Sequence, residues 1–187
     1  MKAEHRDGVV DDVVKFALIA LLIVLPIRIF IAQPFIVRGA SMEPTFESNE
    51  YIIVDQLTYR FEEPERGDVI ILKYPKDESV FFIKRIIGLP GETVELVGDK
   101  VVIQRAKGEE SLTLEEPYIP SDRLQSEYGV YALGDDEYFV LGDNRRASSD
   151  SRAWGALRRD EVVGRAWLRL LPVSRVELLP GEYEYSP

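Results

Sequence analysis

Two residues of this chain, Ser41 and Lys84, could together form a catalytic pair. A serine hydroxyl becomes an effective nucleophile only when a nearby base removes its proton. A lysine can be that base when its amine is neutral, but at an ordinary pKa of about 10.4 only roughly one lysine in 2,500 is neutral at pH 7. Burial against apolar side chains disfavours the charged form and lowers the pKa. Such a pair therefore requires a buried lysine.

The residues around Lys84 are suited to this burial. Residues 81–87 read FFIKRII, a sequence typical of a β-strand. Alternate residues of a strand share a face, so Phe82, Lys84 and Ile86 would lie side by side on an apolar surface. Lysine is almost never fully buried without a reason. A fall of about 3 units in its pKa, equivalent to about 4 kcal/mol, would make Lys84 a useful base.

Composition excludes several other kinds of site. The chain has no cysteine, so it has no disulfide, no thiolate nucleophile and no cysteine zinc site. Its single histidine, His5, precedes a long apolar segment that would separate it from Ser41 across a membrane. A Ser-His-Asp triad and a histidine-rich metal site are therefore not expected, and we predict neither a metal nor another cofactor. The net charge of −10 argues against a nucleic-acid partner.

The apolar segment, residues 13–32, reads VVKFALIALLIVLPIRIFIA. As a helix it would be roughly 30 Å long, which is the thickness of the hydrocarbon core of a bilayer. A cleaved signal peptide would need a basic start and a small-x-small site, but the start is rich in Asp and Glu, and Phe30 stands two residues before Ala32. A buried core helix is the third interpretation, and the length and uniform apolarity of the segment count against it.

We therefore predict a cytoplasmic tail over residues 1–12, a single transmembrane anchor over 13–32, and an extracytoplasmic domain over 33–187. Lys2, Arg6 and Lys15 precede or open the segment, whereas Arg28 and Arg38 close or follow it. This small excess of basic residues favours a cytoplasmic N-terminus.

The domain after the anchor has the pattern of a mainly β fold. Apolar, β-branched and aromatic runs alternate with turn residues. Predicted strands cover 35–38, 51–54, 68–74, 80–87, 93–97, 101–104, 138–141 and 163–171. Gly98 and Asp99 predict a tight hairpin, and residues 160–161 a single helical turn. Residues 105–137 are rich in Glu, Asp, Ser and Gly, and we expect an irregular excursion with weak β content.

A third polar cluster, GDNRRASSDSRAWG at residues 142–155, could surround a site. Its hydroxyl, carboxylate and guanidinium groups could form a rigid hydrogen-bonded network. The alternative interpretation of this segment alone is a polar surface loop with Asx turns.

Together these segments resemble the bacterial type I signal peptidases, membrane-anchored serine proteases that remove signal peptides from exported proteins. The resemblance covers nearly the whole chain and rests on the N-terminal apolar segment followed by four ordered motifs. These motifs are SMEPT at 41–45, RGDV at 66–69, KRIIGLPGE at 84–92 and the segment 142–155.

The resemblance implies an all-β catalytic domain on the outer side of the bacterial cytoplasmic membrane, acting on preproteins that carry signal peptides. It implies Ser41 as the nucleophile, Lys84 as the general base and the Ser41 backbone N–H as an oxyanion donor. It also implies that Ser148 hydrogen-bonds the lysine and that Met42 packs near the nucleophile. The residues expected to brace the site are Asp143, Arg145, Asp150 and Arg152, with Asp150 and Arg152 as a pair.

Two departures from the family pattern concern the nucleophile loop. Some members carry a serine two residues before the nucleophile, whose hydroxyl completes the oxyanion hole, whereas this chain has Gly39. The loss of one such donor can cost roughly 10²–10³ in rate. Phe46 stands where leucine is usual, which we expect to change only the packing.

Two other classes of protein remain as alternatives. A non-catalytic, membrane-anchored β-domain that binds peptides would account for the anchor and the strands, but not for a lysine on an apolar face. A Ser-Lys self-cleaving repressor-type peptidase would account for the pair. The apolar segment, the 142–155 segment and the lack of an obvious DNA-binding module count against that second alternative.

Overall fold

Antiparallel β-structure is the main regular secondary structure of the described residues after the N-terminal helix. The structure is a computed structural model that describes residues 4–26, 32–105 and 110–185. The helix, α1, is Glu4–Pro26. Two sheets follow it, and every strand pairing within the described residues is antiparallel. The expectation of a mainly β fold is confirmed.

The described part of the chain after α1 contains twelve strands, a second short α-helix and five 3₁₀ helices, which are joined by loops. The strands are β1 Ala32–Ile36, β2 Tyr51–Asp55, β3 Val69–Tyr74, β4 Asp77–Gly88, β5 Thr93–Gly98, β6 Lys100–Gln104, β7 Leu112–Thr113, β8 Glu127–Ala132, β9 Glu137–Leu141, β10 Leu157–Arg158, β11 Val162–Leu171 and β12 Glu177–Leu178. The helix α2 is Ser151–Trp154.

The larger sheet has the strand order β1-β2-β11-β3-β4-β9-β10, with β12 beside β11. In β3, the first four residues are all buried, because neighbouring strands and side chains cover both faces. The loop over residues 38–50 lies between β1 and β2 and carries Ser41, and it is called the nucleophile loop after the role predicted for that serine. Its Met42 and Phe46 are buried in one core cluster with Val37, Ile71 and Ile83. The apolar core therefore holds this loop against the sheet.

Two strands of this sheet leave an edge open on the same side of the molecule. Strand β1 is the terminal strand, and Pro34, which has no N–H to donate, lies in it. Strand β4 pairs with β9 only from Arg85 onward, so its preceding residues have a strand partner on the β3 side alone. The rings of Phe35 and Phe81 meet edge to face at 5.5 Å between centroids. The two open edges therefore approach each other.

The smaller sheet has the order β7-β6-β5-β8. The hairpin predicted at Gly98 and Asp99 joins β5 to β6, and Gly98 adopts a positive φ of 68°. Strand β8 lies within the segment that we expected to be irregular, yet it pairs with β5 along its whole length. Its side chains alternate between half-buried and exposed, and this weak apolar pattern explains why the sequence did not indicate it.

The sequence patterns also did not predict three two-residue strands, β7, β10 and β12, or the helix α2. The eight predicted strands all occur, although the first begins at Ala32 and ends at Ile36. The helical turn predicted at residues 160–161 lies in a 3₁₀ helix, Arg159–Glu161.

The predicted anchor, residues 13–32, coincides with α1 as far as Pro26. The prediction then continues through residues 27–31, which lie outside the described residues, and its last residue, Ala32, begins β1 instead. Within the described ranges, no helix is both long enough and apolar enough to cross a membrane.

Candidate active site

Ser41 lies near the beginning of the nucleophile loop, directly beside the open edge of β1. The loop turns at Gly39, whose φ is +89°, and the N–H of Phe46 donates to the carbonyl of Met42 at 2.9 Å. Met42 is buried and Ser41 is half-buried. The burial of Met42 therefore anchors the loop and leaves the adjacent hydroxyl partly accessible.

Lys84 reaches Ser41 from β4 and is only 2% exposed. Its Nζ lies 2.9 Å from Ser41 Oγ and donates to the carbonyl of Ile83 at 2.8 Å. The ring of Phe82 lies 5.1 Å from the amine, in keeping with the predicted shared face. The structure thus brings together the two residues on which the sequence analysis was centred.

Burial is the main cause of a change in the acidity of this amine. It lowers the pKa of Lys84 to about 8, against the opposing charges of Asp150 and Asp143. At a pKa of about 8, roughly one molecule in ten carries a neutral Lys84 at pH 7. A neutral Nζ can accept the Ser41 proton along the same 2.9 Å contact.

The segment 142–155 holds the nucleophile loop mainly through backbone groups. The N–H of Asn144 donates to Ser41 O at 3.0 Å, and its side-chain amide donates to Ala40 O at 3.0 Å. A Cβ at Gly142 would overlap Ser148 Oγ and lie 2.5 Å from Ser41 O. The glycine therefore allows a closer approach of the two segments than any other residue would.

Asp143 forms a fully buried ion pair with Arg85. Arg85 Nε and one of its terminal nitrogens donate to the two oxygens of Asp143 at 2.8 and 2.7 Å. Asp143 also accepts a hydrogen bond from Thr45 Oγ1 at 2.5 Å. The pair thus joins β4, the segment 142–155 and the nucleophile loop.

Asp150 and Arg152 form the expected pair, with two contacts of 2.7 and 2.9 Å. Asp150 also accepts from the N–H of Gly142 at 3.0 Å, and Arg152 also donates to the carbonyl of Arg145 at 2.8 Å. Arg145 is buried, pairs with Glu116 and donates to Gly142 O at 3.1 Å. These contacts brace the segment internally and do not reach Ser41 directly.

Ser148 differs from the expectation. Its Oγ is buried and has no hydrogen-bond partner among the described residues, and the same is true of Asn144 Oδ1. The amine of Lys84 instead contacts Ser41 Oγ and Ile83 O. The hydrogen bond implied between Ser148 and the lysine is therefore not formed in this structure.

The resemblance implied the Ser41 backbone N–H as an oxyanion donor. This N–H makes no hydrogen bond within the described residues, so it is free to donate to a bound group. Nothing lies within 4 Å of a Cβ built on Gly39, but its φ of +89° is a conformation that strains a serine. The local backbone therefore suits the glycine.

Sequence reasoning missed Arg85, Asn144 and Thr45 as parts of the site. Arg85 carried a usable signal, because it is a second charged residue within the same apolar strand as Lys84. Like Lys84, Arg85 is a charged residue among apolar neighbours, where burial requires a specific reason. The contacts of Asn144 with backbone carbonyls have no comparable signature in a sequence.

The open edges of β1 and β4 border a cleft of about 160 Å³ that contains both Ser41 and Lys84. The other lining residues are Phe35, Ile36, Val37, Arg38, Ile52, Ile71, Phe81, Phe82 and Ile83. The walls are mostly apolar, and the polar groups converge at one place. Such a cleft suits a short apolar segment of a larger substrate.

Comparison with known proteins assigns the chain to a family. The model of the family described as signal peptidase, peptidase S26, matches residues 10–171. The chain is 38% identical over 170 residues to the probable signal peptidase I-2 of Synechocystis sp., covering 88% of this chain and 75% of that protein. It is 32% identical over 179 residues to signal peptidase I P of Bacillus subtilis subsp. natto, covering 94% and 96% respectively.

A crystal structure of a signal peptidase I from Enterococcus faecalis V583 is 30% identical and covers 56% of this chain and 97% of that chain, with a TM-score of 0.47. The family match and the two relatives confirm the resemblance seen in the sequence. The chain belongs to the peptidase S26 family of signal peptidases, and it is a serine endopeptidase of the signal peptidase I type.

The buried position of Lys84 should cost stability in a way that depends on pH. Its folded pKa of about 8 lies below the unfolded value, so the unfolded state binds more protons between pH 8 and about 10.4, and stability rises with pH across that window. We expect Lys84→Met to raise the free energy of unfolding by up to about 3 kcal/mol below pH 8, with the gain shrinking above it. Urea titrations of the purified chain in mild detergent would measure this.

The matched control is Lys100→Met, because Lys100 is an exposed residue of β6. Its pH profile of stability should parallel that of the unchanged protein. Equal profiles for Lys84→Met and the unchanged protein between pH 8 and pH 10 would contradict the inferred depression of the lysine pKa.

The close approach at Gly142 predicts a strong effect of one methyl group on catalysis. Gly142→Ala should displace Ser41 or Ser148 and lower kcat by on the order of 10²-fold, since small misplacements of reacting groups have effects of that size. Peptide-cleavage kinetics would measure this. Gly134→Ala is the control, because the atoms nearest to a Cβ there belong to the side chain of Glu137. Equal kcat values for the two variants would refute the positional role of Gly142.

Proposed function

We propose that this signal peptidase is anchored in the bacterial cytoplasmic membrane by residues 13–32 and cleaves preproteins with Ser41 as nucleophile and Lys84 as general base. The observation that carries the catalytic part is the 2.9 Å contact between Lys84 Nζ and Ser41 Oγ. The depressed pKa of the buried lysine supports it further, because a base must be neutral to accept the serine proton.

The reaction would proceed through an acyl-enzyme in two steps. Neutral Lys84 takes the proton from Ser41 as Oγ attacks the scissile carbonyl, and the resulting ammonium gives a proton to the leaving amine as the C–N bond breaks. Lys84 then takes a proton from water as the water attacks the ester. Cleavage of the ester releases the signal peptide and returns a proton to Ser41 Oγ. No cofactor is needed for these steps.

The Ser41 N–H would stabilise the oxyanion of each tetrahedral intermediate. Gly39 provides no side-chain hydroxyl for a second donor. The backbone would therefore supply the stabilisation on this side of the site. Ser148 would act as a supporting residue near the lysine, and Asp143, Arg145, Asp150 and Arg152 would hold the surrounding segments in place.

The substrate would bind as an extended strand between the two open edges. The N–H of Ile86 donates to Asp68 O on the β3 side, so by alternation the backbone groups of Ile83 point to the opposite, open side. In β1, Val37 bonds to the β2 side through Asn49 and Glu50, which leaves Ile36 pointing outward. An added strand could pair with both edges, which is a common mode of peptide recognition.

The identity of the substrate follows from this cleft and from the family. A cleft of about 160 Å³ between the edges accommodates small side chains better than large ones. Signal peptides with small residues such as alanine before the cut, as the family resemblance implies, would fit it. Ile36, Val37 and Phe82 would line the shallow pockets for these residues.

Replacing either member of the proposed pair should abolish preprotein cleavage. Ser41→Ala removes the nucleophile, and Lys84→Ala removes the base, so each should lower kcat by at least about 10³-fold. Cleavage of a purified preprotein would be followed by gel electrophoresis with enzyme in detergent, and circular dichroism would verify folding. Near-normal activity in either folded variant would sink the assignment. Ser149→Ala, an exposed serine next to Ser148, is the control.

The same assay over a range of pH tests the state of the lysine. The rate should rise with pH through about 8, because only the neutral form of Lys84 is active. A rising limb near the ordinary lysine value of about 10.4 would contradict a buried base.

The proposed anchor is supported by the apolar side chains of α1, which are exposed in the structure. Phe16 is 75% exposed and Leu22 is 77% exposed, so both are free to contact lipid. The basic residues near the N-terminus favour its cytoplasmic placement. The catalytic domain would then lie on the outer side, near the membrane surface where exported preproteins emerge.

Proteolysis of intact spheroplasts would test this topology. Added protease should degrade the catalytic domain while a cytoplasmic marker protein stays intact, and the chain should remain in the membrane pellet after extraction with alkaline carbonate. A protected domain would contradict the orientation. Release of the chain by carbonate would contradict the anchor.

A further inference from the structure

Residues 179–185 are called the strap. They contact β4, which carries Lys84, and the nucleophile loop, which carries Ser41. The strap begins at Leu179, whose N–H donates to Trp167 O at 2.7 Å. It then passes over Gly67, where a Cβ would overlap the carbonyl of Tyr183. Its Glu182 forms an ion pair with Arg165. A backbone hydrogen bond, a close backbone approach and an ion pair therefore hold the strap against the sheet.

The strap supplies one of the hydrogen-bond acceptors of the buried Arg85 guanidinium. One terminal nitrogen of Arg85 donates both to Gly67 O, at 2.9 Å, and to Gly181 O of the strap. The other hydrogen bonds of the guanidinium go to Asp143. Since Arg85 is 0% exposed, no water could replace Gly181 O without opening the core.

Aromatic side chains extend this enclosure. The ring of Tyr118 lies 4.0 Å from the centre of the Arg85 guanidinium. Tyr183 of the strap packs against Tyr118 at 5.1 Å, and the hydroxyl of Tyr185 lies 2.5 Å from that of Tyr118. The strap therefore holds in place the ring that covers Arg85.

Gly181 also contacts the nucleophile loop directly. A Cβ at this position would overlap Thr45 Cγ2 and lie 3.3 Å from Phe46 Cε2. Thr45 could turn its methyl group away only by moving Oγ1, which donates to Asp143 at 2.5 Å. A side chain added at Gly181 would therefore displace Thr45, and with it the Asp143–Arg85 pair and the loop that carries Ser41.

We propose that the strap is a positioning element of the catalytic site, which acts through Gly181 on Arg85, Asp143 and Thr45 to keep Ser41 and Lys84 in register. Arg85 follows Lys84 directly in β4, and Thr45 belongs to the nucleophile loop. A displaced strap would therefore separate the two reacting atoms and admit water to Lys84. This inference rests on the catalytic roles proposed above for Ser41 and Lys84.

The test compares Gly181→Ala with Gly91→Ala in the full chain. The two glycines have nearly the same φ, +75° and +77°, but nothing lies within 4 Å of a Cβ on Gly91. Backbone strain should therefore be similar, and only Gly181→Ala should disturb the site. We expect Gly181→Ala to lower kcat for a signal-peptide substrate at least about tenfold, with a smaller change in KM. The rising limb of its pH–rate profile should move to higher pH. Gly91→Ala should have the kcat and the pH–rate profile of the unchanged protein.

A second substitution shows whether the effect passes through Thr45. Thr45→Ser removes Cγ2 and keeps the hydroxyl that bonds to Asp143. The double variant Gly181→Ala/Thr45→Ser should therefore recover a substantial part of the lost kcat. A strap that serves only general stability would give equal kcat and pH profiles for the two glycine variants at equal folded fraction, and no recovery in the double variant. Either result would overturn the proposal.

If Gly181→Ala does not fold, Tyr185→Phe tests the same idea without altering the backbone. It removes the hydroxyl that contacts Tyr118, and kcat should fall by up to about fivefold, the equivalent of one hydrogen bond. Tyr128→Phe is its control, because Tyr128 is 78% exposed. Equal kcat for both tyrosine variants would count against the strap. Cleavage by Ser41→Ala, by contrast, would defeat the proposed nucleophile whatever the strap variants do.

Discussion

The buried ion pair between Arg85 and Asp143 connects every segment that the site requires. Through Arg85 it belongs to β4, which also carries Lys84, and through Asp143 it belongs to the segment 142–155. Thr45 of the nucleophile loop donates to Asp143, and Gly181 of the strap accepts from Arg85. A buried pair of this kind contributes little net stability compared with apolar packing, but losing one partner leaves an uncompensated charge and costs about 3–5 kcal/mol. We infer that the pair serves mainly to fix the positions of these segments and contributes less to the stability of the fold.

Lys84 and Arg85 show how one strand performs two tasks. Adjacent residues of a strand point to opposite faces, so the amine contacts Ser41 while the guanidinium is enclosed by Asp143 and Tyr118. The position of the amine along β4 is thus tied to the position of the guanidinium one residue later. This rigid neighbour, together with the hydrogen bond from Nζ to Ile83 O, holds the amine at hydrogen-bond distance from Ser41 Oγ.

Much of the fold and the central pair could be predicted from the sequence, because both produce local patterns. Runs of apolar and β-branched residues indicated eight strands, and a lysine within such a run indicated burial. Strand β8 escaped prediction because its alternation is weak and its partner β5 lies about thirty residues earlier in the chain. The contacts of Gly142 and Gly181 escaped for a different reason. They depend on the approach of two backbones, and a glycine in a sequence does not say what approaches it.

The ion pairs around the site also influence its acidity. Two carboxylates, Asp143 and Asp150, act on Lys84, and each favours the charged ammonium over the neutral amine that the proposed mechanism requires. Both are paired through two contacts with an arginine, Arg85 or Arg152. The field of an ion pair falls off faster with distance than the field of a lone carboxylate, because the two charges partly cancel. The arginines therefore hold the acidic residues that build the site and also limit their effect on the lysine, so that burial remains the dominant influence on its pKa.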